Sequence, residues 1–118
     1  MSGETVELWR PVGQAELELI ASTRWRRFPP RLAGQPIFYP VLNEEYATKI
    51  ARDWNTKDAA SGYVGYVLRF RVDREYIARF EPQRVGGRGI DELWVPAEHL
   101  EEFNAHIVGE IELVATYR

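Results

Sequence analysis

The sequence predicts one domain of mixed α and β structure, and three stretches of it carry that prediction. Between residues 64 and 72, Val64, Tyr66, Leu68, Phe70 and Val72 alternate with Gly65, Val67, Arg69 and Arg71. That period of two marks a strand with one buried face. Asn43 stands before Glu44 and Glu45, and Tyr46, Ala47, Ile50, Ala51 and Trp54 follow at helical spacing. An Asn cap, first-turn carboxylates and an apolar stripe predict a helix over 44–54 that ends near Asn55. Ile111, Leu113, Ala115 and Tyr117 alternate to the end and predict a C-terminal strand.

The remaining elements follow in chain order. Residues 6–10 alternate apolar and polar before Pro11 and Gly13, which reads as a short strand closed by a turn. From Gln14 the spacing becomes helical, with Leu17, Ile20 and Ala21 on one face and Trp25 two turns beyond Leu17. Phe28-Pro29-Pro30 ends that helix, because proline lacks a donor and restricts the residue before it. Residues 31–36 form a loop, and 37–39 a short β run closed by Pro40. Asp73 is placed to cap a helical turn through Tyr76 and Ile77. Residues 84–89 make a flexible connection. Leu93-Trp94-Val95 predicts a second central strand beside 64–72, stopped by Pro96, and 97–103 a short acidic helix with Leu100 and Phe103 inward. This order fits an α+β domain with antiparallel or mixed pairing as well as a wound parallel sheet.

Composition narrows the function classes. The 118 residues are 45% hydrophobic and 28% charged, a globular balance large enough to bury a core without a disulfide or metal. The chain has no cysteine, which excludes thiolate zinc sites and Cys nucleophiles and suits a reducing compartment. No signal-peptide pattern opens the chain and no apolar run approaches a membrane span, so the cytoplasm is the expected location. A net charge of -3 argues against general binding to nucleic-acid backbones. Charge is uneven, however. Arg24, Arg26, Arg27 and Arg31 gather around Pro29 and Pro30, and Glu98, Glu101 and Glu102 form an acidic group. Both read first as solvated surface, and the basic cluster is also the best local place for a phosphate-bearing ligand.

Common catalytic motifs are missing: there is no GxxxxGK[ST], GxGxxG after a strand, GxSxG or HExxH. His99 and His106 lack the further ligands a metal site needs, so they read as surface or structural residues and no metal is expected. The run VGGRG lacks the following helix that would aim N–H groups at an anion.

Three segments together carry a resemblance. LWRPVG places Arg10 at the end of the first strand; IFYPVLNEEYATKIARDWN joins an aromatic strand to an Asn-capped helix; DELWVPAE places Glu92 at the opening of a late strand. In order and spacing the chain resembles the mono-ADP-ribosyltransferases, and in size the small bacterial ADP-ribosylation proteins. The resemblance implies a compact α+β domain over residues 1–118, with a mixed, mostly antiparallel sheet and flanking short helices. It implies NAD as substrate, Glu92 as the catalytic carboxylate, Arg10 as the residue holding NAD, and Phe38, Tyr39 and Trp54 as candidates to stack on nicotinamide or adenine. Alternation lets only one of Phe38 and Tyr39 face a given side. The acceptor is unspecified, and a non-catalytic module that binds a nucleotide or a protein partner is the alternative. Two departures stand out: Phe38-Tyr39-Pro40 replaces the family's Ser-Thr-Ser, and Ile90 stands where arginine-modifying members carry a second Glu.

Overall fold

A computed structural model describes residues 3–31, 34–84 and 91–118, with Arg84 described in its backbone only. The radius of gyration is 13.6 Å, against about 13.5 Å for one compact domain of this length. The fold is α+β, and every ladder among the described residues is antiparallel.

The strand predicted over 64–72 is the centre of the sheet. It runs Gly65–Asp73 (β3) and pairs along its length with Thr5–Val12 (β1) on one side and Ile107–Tyr117 (β7) on the other. Two-residue strands complete the set: Ile37–Phe38 (β2), Gln83–Arg84 (β4), Asp91–Glu92 (β5) and Val95–Pro96 (β6). β2 pairs with β6, and β4 with β5. Single bridges link Trp9 to Val41 and Val41 to Glu92, so Val41 stitches β5 to the outer edge of β1.

Residues 93–95 are therefore not a central strand beside β3. Proline explains the change. Pro40 and Pro96 have no N–H to give a ladder, and the apolar run breaks into short pieces around them. The Leu93 N–H donates to the Pro40 carbonyl at 2.8 Å, and Leu93 and Val95 are buried without a continuous strand between them.

The sheet has two unlike faces. On one, Leu8 and Val12 from β1, with Tyr66, Leu68, Phe70 and Val72 from β3, meet Ile20, Phe28, Phe38, Leu93, Phe103 and Ile111 in the main core. The aromatic rings there interlock: Phe28 lies 4.9 Å from Phe38 and 4.8 Å from Phe70, and Phe38 lies 5.4 Å from Phe103. Helices Gln14–Ala21 (α1), Arg74–Ile77 (α3) and Leu100–Ala105 (α4) contribute to that side. On the other face, helix Glu44–Asp53 (α2) packs Ala47 and Ala51 against Val41 and Val67.

Helix α2 begins as its sequence dictates, with the Asn43 side chain accepting from the Tyr46 N–H at 3.0 Å. Its buried contacts are narrower than the stripe implies: Ile50 is half-buried and Trp54, at the C-cap, is 60% exposed. The alanines allow so close an approach that the larger residues are left beside the contact rather than under it.

α1 also stops earlier than its apolar spacing suggests, at Ala21. Arg24 and Trp25 then adopt left-handed backbone, with φ of 65° and 63°. This turn swings Trp25 onto the core and lets its carbonyl accept from the Ile111 N–H of β7 at 2.6 Å. β7 begins at Ile107, four residues before its regular alternation. Its register against β3 shifts twice, and Gly109 takes a φ of 80° in the second irregularity. The shifts carry Ile111 onto the main core but Ala115 and Tyr117 onto the α2 side, so the alternation seen in sequence does not mark one face.

Candidate functional site

Arg10 and Glu92 leave the sheet on opposite faces. Trp9, Val41 and Glu92 stand in direct register across three chain segments, so their side chains share the α2 face. Arg10 follows Trp9 on a strand and points the other way, over the main core.

There Arg10 is 9% exposed and its fork is engaged. Nε donates to Glu16 Oε2 at 2.7 Å and an Nη to Oε1 at 3.0 Å, a bidentate pair across the turn at Gly13. Its Cζ lies 4.7 Å from the centroid of Phe38. Phe38 is wholly buried, a core ring with no face open to a ligand. Arg31 approaches the same ring at 5.9 Å, its Nε buried without a hydrogen-bond partner. Burial above all, then repulsion from Arg10, pulls the Arg31 pKa below its ordinary value; Glu16 and Tyr39 act against both.

Tyr39 turns away from the core and is 39% exposed. It meets Trp94, 47% exposed, edge to face at 6.3 Å and 89°. The Trp94 indole Nε1–H donates to Glu92 Oε1 at 3.0 Å. Tyr46, in the first turn of α2, lies within the field of Glu92. Burial first and this carboxylate second raise its pKa. Trp9, on the same face, has a buried Nε1 with no hydrogen-bond partner. The result is a partly exposed carboxylate bonded to the Trp94 indole, with the partly exposed Tyr39 phenol edge to face against that indole.

Compared with known proteins, the chain matches no family model, no curated protein and no solved structure. The site is therefore read from its own residues.

Of the residues singled out in sequence, Tyr39 and Glu92 come together through Trp94, while Arg10 and Phe38 come together on the other face. Trp54 joins neither group. Trp94, Tyr46 and Trp9 were not anticipated, although one signal was available: Trp94 lies two residues after Glu92, the spacing that shares a strand face. The VGGRG loop falls at 85–89, outside the described residues. Among the described residues no three His, Asp or Glu gather as metal ligands, and no helix is long and apolar enough to cross a membrane. His106 stacks on Tyr76 at 4.0 Å, whereas His99 is exposed. The basic and acidic groups meet in part: Arg27, Glu98 and Glu101 border a groove of about 810 Å³ between Pro29-Pro30 and α4.

Proposed function

We propose that the chain binds NAD at the Glu92 face and transfers its ADP-ribose to an acceptor. The observation that carries this reading is the Glu92 carboxylate held by Trp94 beside the exposed Tyr39–Trp94 pair. The nicotinamide ring of NAD is a cation, and an open aromatic face next to a carboxylate attracts one. When the C1′–nitrogen bond breaks, its electron pair leaves with nicotinamide and neutralises that ring. Positive charge then develops on the ribose, where a fixed carboxylate stabilises it. The acceptor's lone pair forms the new bond to C1′. Trp94 serves to orient Glu92, and Tyr39 offers the stacking surface that the sequence resemblance assigned jointly to Phe38, Tyr39 and Trp54.

Calorimetric titration with NAD, followed by mass spectrometry of released nicotinamide, tests the reading. Glu92→Gln keeps shape and hydrogen bonding but removes the charge. Nicotinamide release is expected to fall by about 100-fold with affinity nearly unchanged. An unchanged release rate removes Glu92 from catalysis.

One observation favours a second reading, a binding module without turnover. The Arg10 fork is filled by Glu16 and lies across the sheet from Glu92, so the arginine the family uses for NAD is engaged elsewhere. NAD binding with no nicotinamide release, in wild type and variant alike, would select it.

A further inference from the structure

Arg10 and Arg31 both lie over one ring, Phe38, and among the described residues Glu16 is the carboxylate whose field reaches both. Two guanidinium groups brought together out of bulk water repel each other, and one counter-charge leaves a surplus positive charge. Glu16 pairs with Arg10 through both oxygens. Among the described residues Arg31 makes no ion pair, and its Nε is buried with no acceptor. A donor in that position is expected to find a partner. Both guanidinium groups rest near the Phe38 ring, while the Arg31 and Glu16 side chains remain partly open to solvent.

We propose that Arg31, with Arg10 behind it, is a receptor for a phosphate-type oxyanion, Glu16 holding the Arg10 fork in place until the anion shares it. A tetrahedral anion offers acceptors in several directions, which suits a pair of guanidinium groups better than a planar carboxylate does. Glu16 and Tyr39 are the other titratable groups whose fields reach Arg31. Tyr39, the residue after Phe38, touches Trp94 at the Glu92 face, on the opposite side of its strand from the Phe38 ring. The oxyanion site stands on the Phe38 geometry and does not require NAD to be the natural ligand.

The test is calorimetry of the full chain with inorganic pyrophosphate and with ADP-ribose at constant ionic strength. Saturable one-to-one binding is expected for at least one of them. Tighter binding of ADP-ribose makes a nucleotide the source of the anion, and equal binding makes it the free oxyanion. Arg31→Gln is expected to weaken binding about tenfold or more, with Arg31→Lys intermediate because charge remains and the fork is lost. Glu16→Gln is expected to tighten binding several-fold by freeing Arg10, a direction that mere loss of structure would not give. No binding of either probe by wild type, or wild-type affinity in Arg31→Gln, overturns the proposal. Glu92→Gln separates it from the catalytic reading. Pyrophosphate affinity unchanged by that variant supports an independent anion site, even where NAD is never cleaved.

Discussion

The two faces of the sheet spend their aromatic residues in opposite ways. On the main-core face, Phe28, Phe38, Phe70 and Phe103 touch ring to ring and exclude water, and the charge admitted there arrives with a counter-ion or at the rim. On the α2 face the helix rests on two alanines, and Tyr39 and Trp94 stay at the surface around a carboxylate. One face invests large rings in stability. The other closes on small residues, packs Trp9, Tyr46 and Tyr117 only partly buried around them, and leaves Tyr39 and Trp94 partly exposed.

The sharpest way to break this contrast is to cut each face by one side chain. Phe70→Ala removes a fully enclosed ring and is expected to cost about 3–5 kcal/mol, whereas Ile50→Ala on the half-buried flank of α2 is expected to cost about 1 kcal/mol. Chemical denaturation measures both, and equal losses would erase the distinction. A smaller effect probes the embedded Arg10–Glu16 ion pair. Arg10→Met leaves the Glu16 carboxylate half-buried without its partner, at an expected cost of about 2–3 kcal/mol, less than for a fully enclosed pair because Glu16 keeps some solvent. Replacing Glu16 by Leu as well is expected to return much of that loss, and a double-mutant cycle reads the coupling.

The smallest effect lies at the far end of the main core. Tyr76 is buried, stacked on His106, and donates to Glu102 at 3.1 Å. Burial first, and then this carboxylate, push its pKa up to about 12 from an ordinary 10.0. The proton is held more tightly in the folded chain, so the stability it contributes is complete below pH 10 and is lost as pH rises toward 12. An alkaline absorbance titration of the six tyrosines should show a late step that Tyr76→Phe removes. Tyr46 should also titrate late, and Glu92→Gln should bring it earlier.

Sequence made one class of feature legible and hid another. Asn43, the first-turn acids and the alanines specify α2 locally, and the alternation from Val64 to Val72 specifies β3, because both signals lie within a few residues. Trp9, Val41 and Glu92 meet only through long-range bridges around two prolines, and nothing local at Leu93-Trp94-Val95 separates a central strand from a seam. The site inherits this difference. Glu92 and Tyr39 stand out by residue type, but which face each occupies depends on the register at Val41. Arg31 appeared as one of four surface arginines, and only the approach of Phe38 sets it apart from Arg24, Arg26 and Arg27.

Gly65 governs the depth at which α2 sits. A methyl group there would overlap the carbonyl of Ala51 near the helix's C-terminal end. Tyr46 rides five positions earlier on the same rigid rod, about 7.5 Å away along its axis. Any side chain at residue 65 would prise that rod outward and swing the phenol relative to Glu92. The spacing between Tyr46 and Glu92 is thus gauged from a glycine that touches neither, by leverage from beneath the helix.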